Sequence, residues 1–86
     1  MKLPKLKCGD VIEILWVDIK SDSEWHTKEA ALKMKPASCS YAGYFLNQDK
    51  ACMRCMNMQS FDDEGCDYNV FPLGVITKVN ILKKSE

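Results

Sequence analysis

The sequence is poor in the residues that most enzymes and metal sites are built from. It has a single histidine, His26, and a single arginine, Arg54. One histidine gives a histidine-based triad or a histidine metal site little to build on, and a solvent-exposed role is expected for it. No Gly-rich phosphate loop, His-Glu metal motif or nucleophile elbow is present. Carboxylates occur, but no pattern marks a catalytic pair, so an enzyme is not expected. Charge of one sign is missing too: twelve basic residues balance twelve acidic ones. That removes the global positive field that holds a long nucleic acid. No apolar run reaches the length of a membrane span, and Met1-Lys2-Leu3-Pro4-Lys5 breaks before a signal peptide can form. We expect a soluble, cytoplasmic protein without a membrane partner. Its 86 residues make one domain, 1–86, with a lead-in over 1–8 and a tail over 83–86. A core this small needs help from staples or partners.

Cysteine is present, in an odd count of five. Without a secretory signal, a disulfide framework is not expected. Cys52 and Cys55 form the one Cys-x-x-Cys pair, whereas Cys8, Cys39 and Cys66 stand alone. A four-cysteine zinc site needs a second close pair. The pair also falls in an extended run, Ala51 to Ser60, where positions three apart face opposite sides. Small buried thiols are expected, with no metal and no cofactor.

The strongest signal is a strand, Val11 to Ile19, rich in β-branched and aromatic residues and preceded by the turn signal Gly9-Asp10. Ile12, Ile14, Trp16 and Asp18 share one face; Val11, Glu13, Leu15, Val17 and Ile19 share the other. Both faces are largely apolar, and a small domain has one core to fill. The second face is expected to meet another chain or a covering helix. A closed homo-oligomer, dimer or tetramer, with two-fold-related interfaces follows from this pattern.

The basic lead-in, with three lysines before Cys8, reads as a solvated terminus. After the first strand, Lys20 to Glu24 is polar and turn-forming. Trp25 then has two readings, a plug for one end of a barrel or a wall of a pocket. Thr27 can cap a short helix over Lys28 to Lys35, with Ala30, Ala31 and Met34 as an apolar stripe that Pro36 ends. A second strand runs from about Ser38 to Leu46, with Cys39, Tyr41, Gly43 and Phe45 on one face. Gly43 marks either a bulge or a close approach by a ligand or backbone. Asn47-Gln48-Asp49-Lys50 turns the chain into a third strand, where Arg54 sits among methionines. Arg54 either pairs with a carboxylate, Asp18 being one candidate, or binds a phosphate. Phe61 to Asp67 is an acidic, exposed loop. Tyr68 to Phe71 makes a fourth strand and Pro72-Leu73-Gly74 a tight turn or 3₁₀ step. Val75, Thr77, Val79 and Ile81 alternate in the last strand, after which Lys83 to Glu86 should fray.

This order predicts a mainly β fold: a small five-stranded, SH3-like or Sm-like antiparallel barrel with one short α-helix. The residues also resemble a widespread group of small phage proteins. The resemblance is carried by Val11 to Asp18 with its Trp-x-Asp ending and by Cys39, Gly43 and Tyr44. Phe71-Pro72-Leu73-Gly74-Val75-Ile76, with Val79 and Leu82, completes it. It spans about residues 9–82. The chain departs from the group at Ile19-Lys20, where a small residue is common, and in its cysteine- and methionine-rich third strand. Small phage proteins of this kind include the tetrameric anti-defence sponges that counter the CBASS and Thoeris immune systems, and the chain is similar to these. What the resemblance implies is sequestration of a cyclic nucleotide messenger without chemistry, inside an infected bacterium. Aromatic rings would stack on bases, a basic group would meet phosphate, and polar side chains would read base edges. The expected site is where the end of the first strand, the loop into Trp25 and the third strand meet, within one chain or across a subunit boundary. Its residues are Trp16, Asp18, Ser21, Trp25 and Arg54. The bland alternative packs both tryptophans in the core and pairs Arg54 with Asp18. Two other functions compete: a multimeric barrel that binds RNA or DNA, and a protein–protein inhibitor of a host defence enzyme. Near-neutral charge makes nucleic acid the less expected partner.

Overall fold

The computed structural model describes residues 2–86; Met1, the first residue of the lead-in, lies outside them. The described chain forms a five-stranded antiparallel sheet, with strand order β4-β3-β2-β1-β5. The strands are β1 (Val11–Asp18), β2 (Ala37–Gln48), β3 (Cys52–Met56), β4 (Asn69–Pro72) and β5 (Ile76–Lys83). β1 is flanked by β2 and β5, which pair both of its edges. It stops one residue short of the expected end. The Asp18 carboxylate accepts the Ile19 N–H at 2.8 Å, which takes that donor away from the ladder.

Ile12 and Ile14 are fully buried and pack with Phe45, Met53, Cys55, Phe71, Ile76 and Val79. These side chains share the concave face of the sheet, and Tyr41, Gly43 and Phe45 of β2 join them as their alternation predicts. The other face of β1, from Val11 to Val17, is only half-buried. No helix covers it. The expected helix shrinks to one turn, α1 (Lys28–Ala31), capped by Thr27, whose hydroxyl accepts the Ala30 N–H at 3.1 Å. None of its residues is buried, and Met34 of the expected stripe is exposed. A helix without a packed face gains too little to propagate beyond its nucleus.

The sheet curls strongly. Trp16 of β1 meets Phe71 of β4 edge-on at 5.5 Å, although β2 and β3 separate those strands. Tyr41 meets the same ring at 5.0 Å. Gly43 permits the bend: a Cβ there would lie 2.5 Å from the Tyr41 hydroxyl and 2.7 Å from the Met56 carbonyl oxygen. Of its two readings, close approach is the one observed, and the approaching group is protein. Register shifts fall between Phe45 and Asn47 and, against β5, between Val11 and Ile12 and between Leu15 and Trp16. The shift at Leu15 leaves Thr77 outside the pairing, with its hydroxyl donating to the Leu15 carbonyl at 3.0 Å. The expected alternation of Val75, Thr77, Val79 and Ile81 therefore breaks. Val75 sits in the 3₁₀ turn Leu73–Val75, and Ile76 and Val79 point inward. Among the described residues no ladder joins β4 to β5. The sheet is curled, but hydrogen bonds do not close it into a barrel.

The tail is held where fraying was expected, and the lead-in, expected as a solvated terminus, packs in part. Leu3 and Leu6 pack against the core. Asp10 is buried, and its two oxygens accept N–H groups from Lys7 at 2.9 Å and Ser85 at 2.7 Å. Beside it, Gly9 adopts φ +94°, and Ser85 Oγ would lie 2.9 Å from any Cβ. Two excursions leave the sheet, an arm over 19–36 and a loop over 57–68, and nearly all their residues are exposed. They account for a radius of gyration of 16.4 Å, against about 12 Å for a compact chain of this length. No described helix is long and apolar enough to cross a membrane.

Candidate functional site

The curl that brings β4 over the end of β1 leaves a cavity of about 440 Å³ between them. Trp16, Val17, Asp18 and Ile19 form one side; Asn69, Val70, Phe71, Pro72 and Val75 form the other, with Ser40 and Tyr41 between. The walls are mostly apolar and aromatic. Asp18, Ser40 and Asn69 supply polar groups, and none of the lining residues is a cation.

A hydrogen-bonded brace holds this geometry. The Tyr41 hydroxyl donates to Asn57 Oδ1 at 3.1 Å and accepts from Asn69 Nδ2 at 3.3 Å. Asn69 Nδ2 also donates to Asn57 Oδ1 at 3.1 Å, and Asn57 Nδ2 donates to the Ala42 carbonyl at 2.7 Å. Asp67 then accepts the N–H groups of Asn57 at 2.7 Å and Met58 at 3.0 Å. Those two bonds hold the Asp67 carboxyl below its usual range. Burial pushes the Tyr41 phenol up, which keeps it neutral and able to donate. Tyr41 and Asn69 are thus fixed before any ligand arrives.

The structure brings together two of the five expected site residues. Trp16 is half-buried in the cavity wall, and its indole N–H is buried without a partner. Asp18 lies exposed on the rim. Ser21 is exposed in the arm and does not line the cavity. Trp25 is 100% exposed, so within one chain it neither plugs the sheet nor walls a pocket. His26, expected at the surface, is exposed and bonded to Asp22 at 2.9 Å. Arg54 does pair with a carboxylate, but the partner is Asp49 at 2.8 Å rather than Asp18, with Asn47 as a second acceptor at 3.1 Å. The β2–β3 turn brings Asp49 beside Arg54, and Asp49 also accepts the Ala51 and Cys52 N–H groups. Arg54 above all, then those N–H groups, holds the Asp49 carboxyl down at about 2. The crowding of five side chains is therefore not formed inside one chain.

Sequence reasoning did not place Tyr41, Asn69, Phe71 or Val75 at the site. Gly43 carried the one available signal, since the ring it admits is that of Tyr41. The cysteines also need correction. Only Cys55 is fully buried, and burial pushes its thiol up to about 11, which leaves it unreactive at neutral pH. Cys39 and Cys52 are half-buried, and Cys8 and Cys66 are exposed. All five are free. Among the described residues no three His, Cys, Asp or Glu side chains gather as metal ligands would. No protein family matches the chain, and no curated protein or solved structure matches it either.

Proposed function

We propose that the protein binds and sequesters a small planar ligand without transforming it. The ligand is a cyclic nucleotide messenger of bacterial immunity, and the protein acts as a phage anti-defence sponge in the cytoplasm of the infected host. The cavity at the end of β1 carries this reading. Its volume of about 440 Å³ falls within the ~300–1,000 Å³ of small-molecule pockets. Its aromatic walls suit a base, and Asp18, Ser40 and Asn69 can read base edges. The fold belongs to this reading as well: an SH3-like or Sm-like barrel, toward which the sheet curls as Phe71 of β4 packs on Trp16 of β1 and Tyr41 of β2. Because the lining has no cation, phosphate must be met from outside it, by Lys20 beyond the rim or by another copy. A ligand with few phosphates fits such a site best.

The test is mass spectrometry of small molecules released by heating protein purified from cells that make cyclic nucleotides, followed by calorimetry with each candidate. A released messenger that rebinds supports the reading. No binding across a broad panel ends it. A second reading, an inhibitor that grips a host protein, draws on the exposed apolar side chains of the arm. A stable protein partner recovered without nucleotide would favour it.

A further inference from the structure

Two unsatisfied features lie next to each other in the chain. The arm over 19–36 leaves Ile19 89%, Trp25 100% and Leu32 86% exposed, and its helix buries nothing. The cavity is an aromatic-walled recess that opens at the sheet's end. The arm starts at the cavity's own rim, since Asp18 and Ile19 line the cavity and lead directly into it. A surface tryptophan at full exposure gives up a large favourable burial. We propose that Trp25 of one copy seats in the mouth of the cavity of a second copy. The two arms exchange about a two-fold axis, and each ligand site is completed in trans.

Three observations fit this occupant. The first is geometric: arm and cavity share a root at Asp18 and Ile19, so the two reciprocal insertions about a two-fold lie side by side in one interface. The second is volume. A cavity of ~150 Å³ holds a benzene ring, so about 440 Å³ admits an indole with a ligand base beneath it. The third is hydrogen bonding. A buried indole N–H seeks an acceptor, and Asp18, one of whose oxygens takes the Ile19 N–H, keeps Oδ2 to accept. Two aromatic insertions and the walls they cover remove on the order of 800 Å² from water, and the flanking Ile19 and Leu32 add to this, which places the contact in the small-interface class below about 1,200 Å². In this arrangement the expected grouping of Trp16, Asp18 and Trp25 forms between chains.

The docking stands on its own, whereas the role of Trp25 as a lid over a base rests on the function proposed above. The test uses the whole chain and reads association by light scattering and by Trp25 fluorescence in a Trp16→Phe background. The wild type should be a dimer or a multiple of one, with Trp25 emission shifted to the blue. Trp25→Ala should weaken association by about 30-fold or more, the size of a hot-spot loss, while keeping its circular dichroism. On the cavity side, Val70→Asp should do the same, with Ser40→Arg as a second block at an exposed position. Mixing Trp25→Ala with Val70→Asp should restore heterodimers, because one intact arm then meets one intact cavity. A monomeric wild type, unchanged association of Trp25→Ala, or failed complementation would overturn the docking. So would loss of association with Trp25→Ala while both cavity variants associate normally, since the arm would then have another occupant. If complementation succeeds but no messenger binds, the function fails and the docking stands. If the wild type binds a messenger and Trp25→Ala binds it equally well, the trans site fails and the function stands.

Discussion

β1 is bounded by two aspartates, and they do opposite things. At its start, Asp10 is buried and accepts N–H groups from Lys7 and from Ser85, 75 residues away in sequence. Its backbone also pairs with Phe45. Lead-in, β1, β2 and tail all converge there. At its far end, Asp18 is exposed and accepts the N–H of the next residue. Its side chain takes no bond from a distant segment, its register partner is Ala37 on β2, and beyond it the chain leaves the sheet as an arm beside the cavity. The same side chain either closes a fold or ends a strand, depending on how many segments arrive at it. One end of β1 ties four segments together, and the other borders the cavity.

Substitutions can break this contrast. The largest effect should come from the core that the curl creates. Phe71→Ala removes the ring that both Trp16 and Tyr41 pack on and should cost about 3–5 kcal/mol in denaturant unfolding. Trp25→Ala should stay within about 0.5 kcal/mol of the parent monomer. A large loss from Trp25→Ala would mean that the arm is structural after all. Next comes the clamp. Asp10→Ala strands two N–H groups and should lower the melting temperature clearly, whereas Asp18→Ala should leave it within experimental scatter. Gly9→Ala forces a Cβ toward Ser85 at positive φ and should cost about 1–2 kcal/mol by the same measurement.

The smallest effect is on pH dependence. The Ser85 and Lys7 N–H groups hold the Asp10 carboxyl below its ordinary 3.8, and Arg54 holds Asp49 at about 2. A carboxyl depressed in the folded state stabilises fully above its unfolded value, and that contribution fades as pH falls through the folded one. Melting temperature should therefore drop from about pH 4 down to about pH 2. Asp10→Asn should flatten part of the drop. An Asp10→Asn profile that matches the parent's would remove the clamp at the start of β1.

Much of the fold was legible because it is local. The run from Val11 and the 3₁₀ step after Pro72 state their conformation within a few residues, whereas the turn expected over Asn47 to Lys50 starts two residues later because β2 runs on to Gln48. Strand faces followed from alternation until Thr77, where a bulge against β1 reset the phase. A bulge belongs to a pair of strands, so neither strand alone announces it. The candidate site was less legible. Trp16 and Asp18 were found because they end a strand, but Asn69 and Phe71 lie more than fifty residues further along. Arg54 showed its need for a carboxylate without showing which one would arrive.

By itself, then, the sequence determined the number of strands, their order along the chain and the glycine that allows the tightest approach. Propensity, alternation and turn chemistry act over a few residues, and these features are written at that range. Tertiary structure alone decided that Asp10 would be a clamp and Asp18 a rim, that Phe71 would face Trp16 across the curl, and that Trp25 would lie outside the core of its own chain. Each of those outcomes depends on which distant segments converge on a point, and that is fixed by pairing and packing rather than by the residue's neighbours in the chain.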